Sequence, residues 1–204
     1  MTFKKTEKEI LNAIVKYGNN EKSLAEVLNE SKLLEKKGIA IIHESNKYFV
    51  FLDKRLFDYE ESNIAFGYIS ELMSLITMLT EKRYIVMIPF GSSYTHSIGV
   101  SGIRGIKPHV YLTDEGDTIY IDDRHADWIH GDQQKCWPFV FNENQMPMSY
   151  FFNSPFSVSQ ELKDLVEHNF KSEEERRFVK QQRLTWVSIA VALIIGLLGI
   201  FCRQ

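Results

Sequence analysis

Between Asp122 and Asp132 the chain places four carboxylates (Asp122, Asp123, Asp127, Asp132) and two imidazoles (His125, His130) within eleven residues. Carboxylate oxygens and imidazole nitrogens can hold a hydrolytic metal ion, and an imidazole is a base near neutral pH. The spacing, however, is that of no zinc or two-metal signature: HExxH is absent, and histidines five apart would face apart on a helix. Following a strand, such a stretch reads as a solvated loop without a metal. A hydrolase built on Asp122, Asp123, His125, Asp127, His130 and Asp132 is the alternative reading.

Other chemistry is thinner. Gly91, Gly99, Gly102 and Gly105 suggest a phosphate loop, but GxxxxGK[ST] is absent, and GxxGxxG within 98–107 does not match the dinucleotide fingerprint. Arg104 and Lys107 could still meet an anion there. The chain has two cysteines, Cys136 and Cys202, far apart, which make neither a disulfide framework nor a zinc pattern. Cys136 reads as a small buried residue. No cofactor is implied. The stretch 139–156 is rich in aromatics; core burial is the expected use of these rings, with Tyr150, Phe151 and Phe152 in a proline-flanked loop as the candidates for partner contact.

The elements that would position these residues follow from period and punctuation. Thr6 and Glu9 have capping-box spacing before an apolar face of Ile10, Leu11, Ile14 and Val15. A second helix is predicted from Ser23 to about Lys37, ended by Gly38. GIAII at 38–42 and YFVFL at 48–52 read as a hairpin. A longer helix is predicted over 61–82, with Asn63, Gly67, Ser70, Ser74, Thr77 and Glu81 as one polar stripe on an otherwise apolar surface. YIVMIPF at 84–90 reads as a buried strand, and HVYLTDEGDTIYID at 109–122 as two strands around an acidic turn with Gly116. WPFVF at 137–141 is a further strand. Ser157 and Gln160 have capping-box spacing for a helix to about Phe170. The class is α+β: N-terminal helices with a hairpin, a central antiparallel sheet, and helices at the end.

Helix, helix and a Gly-led hairpin over residues 6–55 resemble a truncated winged-helix domain, with LLEKKGIAII at 33–42 like a recognition helix running into a wing. A full winged helix has three helices before the wing. The part that would enter the major groove is short here, and the segment's charges nearly cancel. With a net charge of −3 for the whole chain, a structural or protein-binding use of the motif is expected rather than nucleic-acid binding.

The end of the chain fixes where this machinery sits. From Leu184 to Cys202 the sequence LTWVSIAVALIIGLLGIFC carries no charge. As a helix it would be about 28 Å long, close to the roughly 30 Å hydrocarbon core of a bilayer. Arg176, Arg177, Lys180 and Arg183 precede it and only Arg203 follows, which by the positive-inside rule puts the front portion in the cytoplasm. The N-terminus has no apolar core of a secretory signal. Thr185, Ser188, Ala192, Gly196 and Gly199 form one small-residue face, the kind that lets membrane helices approach closely.

The expected organisation is a winged-helix-like unit at 1–58, an α+β domain at 59–170, a juxtamembrane helix at 171–183 and a single transmembrane helix at 184–202. In architecture this looks like the small tail-anchored proteins of bacterial signalling, stress or phage-defence systems, inserted in the inner membrane. The expected function is a membrane-tethered interaction or sensing module whose partners are the lipid bilayer and a protein, or a second copy through the tail. A hydrolase and a tethered DNA-binding regulator are the alternatives.

Overall fold

Three helical segments open the chain. α1 (Lys5–Tyr17) buries Ile10, Leu11, Ala13 and Ile14. Its cap sits two residues before the expected one: the Glu7 carboxylate accepts the Lys4 N–H at 2.7 Å, while the Thr6 hydroxyl donates to Glu71 at 3.1 Å. α2 (Leu24–Ser31) starts at a capping box in which Ser23 and Glu26 each satisfy an orphan amide. The helix expected through Lys37 breaks at Lys32, which adopts a left-handed φ of 55°, and resumes as the single turn α3 (Leu33–Lys36). The structure is a computed structural model, described here over residues 3–18, 21–44, 46–88, 97–99, 103–122, 125–142, 152–171 and 173–201, with 196–201 as backbone only.

The hairpin that follows is the centre of the fold. β1 (Ile39–Glu44) and β2 (Lys47–Asp53) pair antiparallel, with Ile41 opposite Val50 and Ala40 opposite Phe51. Side chains alternate between faces along a strand, and here both faces are covered. Ile39, Ile41, Tyr48, Val50 and Leu52 join the core built with the helices, whereas Ala40, Ile42, Phe49 and Phe51 join a second core on the other side. This explains the unbroken apolar runs, which mark strands buried on both sides.

α4 (Ser62–Glu81) packs on the first face through Ala65, Tyr68, Ile69, Leu72, Leu75, Ile76 and Leu79. The polar stripe from Asn63 to Glu81 is exposed, as its period predicted. Two short strands, β3 (Ile85–Met87) and β4 (Ser97–Ile98), follow. β4 adds to the outer edge of β1. A five-stranded antiparallel meander comes next: β5 (Arg104–Lys107), β6 (Val110–Leu112), β7 (Thr118–Ile121), β8 (Ala126–His130) and β9 (Gln133–Gln134). β6 and β7 flank the Gly116 turn as expected, with Gly116 at φ 84°. The meander lays Ile119, Ile121, Ala126 and Trp128 on the second face of the hairpin.

β10 (Cys136–Asn142) returns to the central sheet, whose order is β10-β2-β1-β4. It carries Pro138, which has no N–H to give a further strand, and it lies at the sheet edge. Phe139 and Phe141 meet Phe66 of α4 edge-on, with ring centroids 4.9 and 5.5 Å apart. β11 (Phe156–Val158) pairs with β3, and α5 (Gln160–Glu167) is capped by Ser159 rather than by Ser157. One core therefore joins Phe3 to Leu162, and residues 1–58 share it with residues 59–170. The last element, α6, runs without a break over Glu173–Phe201.

Among the described residues two helices are long and apolar enough to cross a membrane: α4, and α6 over 173–195. The order of layers is thus helices, central sheet, meander, with α6 leaving the body.

Phe51 is fully buried and meets the Trp128 ring at 5.6 Å, so it holds the two sheets together. Phe51→Ala is expected to destabilise the fold by about 3–5 kcal/mol. Denaturant unfolding of the protein in mild detergent, followed by tryptophan fluorescence, measures it.

Candidate functional site

The sequence cluster at 122–132 is reorganised by the strand that runs through it. The stretch expected as a loop is mostly β8, because Ala126 and Trp128 alternate inward onto the hairpin. His125 and His130 therefore sit at opposite ends of an extended segment, roughly 16 Å apart at strand rise. At one end the His125 Nε2 lies 2.7 Å from Asp127 Oδ2, and Gln134 donates to the other Asp127 oxygen at 2.9 Å. Asp122 accepts the His125 backbone N–H at 2.6 Å, a turn interaction. Asp123 lies outside the described residues, and Asp132 is exposed in the β8–β9 turn. Among the described residues no group of three or more His, Cys, Asp or Glu side chains is placed to hold a metal.

At the other end His130 meets a residue that the sequence offered only as part of an acidic turn. Asp117 is fully buried. Its carboxylate accepts from Trp128 Nε1 at 2.7 Å and from Lys135 Nζ at 2.7 Å, and lies 2.5 Å from His130 Nδ1. Its backbone N–H donates to the Thr113 hydroxyl at 3.0 Å. Burial raises the Asp117 pKa, but the bonds from Lys135, Trp128 and His130 outweigh it and hold the carboxyl below its ordinary range. Lys135 responds in the opposite sense. Burial lowers it, yet its bonds to Asp117 and Glu115 leave its pKa raised.

Lys135 is also where the two sheets join. Its backbone N–H donates to Trp128 in the meander at 2.7 Å, and its carbonyl accepts from Lys54, just past β2, at 3.2 Å. Beside this joint lies a cleft of about 450 Å³, within the roughly 300–1,000 Å³ of small-ligand sites. Ile39, Ala40, Phe51, Trp128 and Cys136 give it an apolar floor. Lys32, Arg55 and Lys135 face Glu35, Asp53, Asp114 and Glu115 around its rim. Arg55 grips Asp53 at 2.5 Å, and although burial raises the Asp53 pKa, the Arg55 bonds bring it below the usual carboxylate range. Burial pushes the Cys136 thiol up to about 12, so at neutral pH it is a protonated wall, not a nucleophile.

This arrangement suits an apolar body carrying a polar or charged group, anchored below and oriented at the rim. Its residues come from six separated stretches of chain, so local spacing could not announce it; the one sequence signal was the doubly apolar hairpin that floors it.

The remaining candidates are elsewhere. Arg104 and Lys107 lie on β5, whose four residues are all exposed. Phe152 is buried in the helical core, so it is no surface contact; Tyr150 and Phe151 lie outside the described residues. Thr185 and Ser188 turn their hydroxyls back to the Gln181 and Leu184 carbonyls at 3.0 Å, Ala192 is exposed, and the surroundings of Gly196 and Gly199 are not described. Lys37 sits 5.4 Å from the Tyr68 ring centroid.

No protein-family model, curated protein or solved structure matches this chain. The functional reading rests on the residues themselves.

Asp117→Asn removes the charge that three donors share, and is expected to cost on the order of 3 kcal/mol, the usual scale for breaking one side of a buried ion pair. Because the folded pKa of Asp117 is lowered, its contribution is present above the unfolded carboxylate range near pH 4 and is lost as pH falls through the folded value. Unfolding free energy measured from pH 7 to pH 3 is expected to fall less steeply for Asp117→Asn than for the wild type.

Proposed function

We propose that this chain is a membrane-tethered module, with α6 as a single-pass anchor, a cytoplasmic head, and the cleft beside Lys135 as the place where the head takes a partner side chain or a small amphipathic signal. One contrast carries the reading. Over 62–81 in α4 and over 173–195 in α6 the most apolar windows have the same mean hydropathy of 1.2, but 39% of that window is buried in α4 and none in α6. α4 faces the core with its apolar side and water with its polar stripe. α6 presents Leu184, Trp186, Val187, Ile189, Val191, Leu193, Ile194 and Ile195 outward, each at least 45% exposed. Leaving a large apolar side chain in water rather than burying it costs about 1.5–3 kcal/mol. Eight of them approach or exceed the whole stability of an ordinary domain, roughly 5–15 kcal/mol. A bilayer removes that cost. The four cations before the run favour the cytoplasmic side for the head.

The head then supplies recognition. Its cleft is lined by paired charges over an apolar floor, a composition suited to binding, and the thiol it contains is protonated and inert. The tail contributes self-association through its small-residue face.

Full-length protein is expected in the membrane fraction after alkaline carbonate extraction, and deletion of 184–204 is expected to release the head in soluble form. Full-length protein recovered soluble without detergent refutes the anchor. Ala192→Leu with Gly196→Leu is expected to reduce in-membrane dimerisation without affecting insertion, whereas Ile194→Ala with Leu198→Ala leaves it near the wild-type level.

A further inference from the structure

We propose that Arg177, Lys180 and Arg183 form a collar that selects anionic phospholipid headgroups around the anchor, an inference that rests on the membrane reading of α6. Charge is ordered along the helix axis. Taking Leu184 as the edge of the hydrocarbon, a rise of about 1.5 Å per residue puts Arg183 at about 1.5 Å, Lys180 at about 6 Å and Arg177 at about 10 Å outside it. The headgroup layer is about 5–8 Å deep on each side, so Arg183 and Lys180 lie within it and Arg177 lies just beyond it, where a long side chain reaches back to it. Glu173, Glu174 and Glu175 stand about 13–17 Å out by the same rise, beyond that layer. A screening length of about 8 Å then weakens their repulsion of a headgroup more than it weakens the attraction from the collar. From residue 176 to the end of the chain there is no acidic residue at all.

The side chains are placed to act. Lys180 and Arg183 are exposed, and Arg177 is 78% exposed although it pairs with Glu173 one turn back. Arg176 is set apart: it is half-buried in a groove with Tyr84, Glu161 and Asp164, so it leans on the head and is left out of the collar. The head adds two cations at the root of the helix. Lys8 and Lys171 line an open groove with Phe3, Phe170 and Phe178, and Glu174 and Glu175 share that groove. Phe178 is 66% exposed, about 9 Å from Leu184, where an aromatic ring suits the interface. A bare bilayer of zwitterionic lipid offers the cations nothing in return for partial loss of water. Anionic headgroups do, by roughly fivefold in affinity per engaged cation.

The test uses the full-length protein in vesicles and Trp186 as the probe. Trp186 is 65% exposed in the first turn of the apolar run, whereas Trp128 and Trp137 belong to the head. Phosphatidylcholine vesicles with a fixed fraction of phosphatidylglycerol are prepared twice, with one or the other lipid brominated at equal mole fraction. Brominated phosphatidylglycerol is expected to quench Trp186 about twofold more strongly. Arg177→Gln with Lys180→Gln and Arg183→Gln is expected to abolish the difference, and raising salt from about 50 mM to about 500 mM to shrink it. Equal quenching by the two lipids in the wild type overturns the collar and leaves the anchor standing. Absence of quenching by either lipid overturns the anchor, and the collar with it.

Discussion

A hairpin with no free face organises this molecule. β1 and β2 carry apolar side chains on both sides, so the pair can be stable only between two covering layers. The helices α1, α2 and α4 supply one layer and the meander supplies the other. This requirement explains why strands far along the chain come back to residues 39–53. β10 must seal the β2 edge, and β7 and β8 must lay their apolar positions over Phe49 and Phe51.

The two layers meet at Lys135, and the electrostatics there follow from the packing. Covering Phe51 with Trp128 carries the indole N–H into the interior, where it needs an acceptor. Asp117 provides it, but a carboxylate out of water needs countercharge, and Lys135 and His130 supply donors. The network is satisfied from three directions, so a buried acid coexists with an apolar core. A second tie lies at the far end of β1, where Glu44 meets His109 Nδ1 at 2.7 Å and accepts from the Tyr111 hydroxyl of β6. The cleft lies beside the Lys135 joint, floored by the hairpin and Trp128 and rimmed by the charged residues of the flanking turns.

Features that depend on near neighbours were legible in the sequence. The α4 stripe follows from a 3.6-residue period, and the 113–117 turn from a glycine where a positive φ is needed. The hairpin was legible, but its role was not, because unbroken apolar runs do not say what lies on each side. The break at Lys32 gave no signal: a lysine there adopts a left-handed φ without a glycine or proline to mark it. The cap at Thr6 was misplaced because its hydroxyl goes to Glu71, sixty-five residues away. Asp117 was hidden for the same reason. It sits in a stretch whose composition suggests solvent, and what buries it comes from β8 and the residue after β9. The candidate cluster at 122–132 drew attention by composition, yet β8 sends its two ends apart.

Over 173–195 hydropathy alone does not separate α6 from α4, since both spans pass the same test of length and apolar composition. What separates them is the arrangement of the remaining residues. α4 keeps its polar positions in one stripe, which gives water a face and the core a face. In α6 the charges are segregated along the axis instead: acids first, then cations, then none. Segregation around a helix suits a protein surface, where the environment changes from one side of the helix to the other. Segregation along it suits a boundary crossed end to end, where the environment changes with depth. On the proposed membrane reading the order of signs follows the same logic, because the cations nearest the apolar run then lie at headgroup depth and the acids stand farther out, where water and salt screen them.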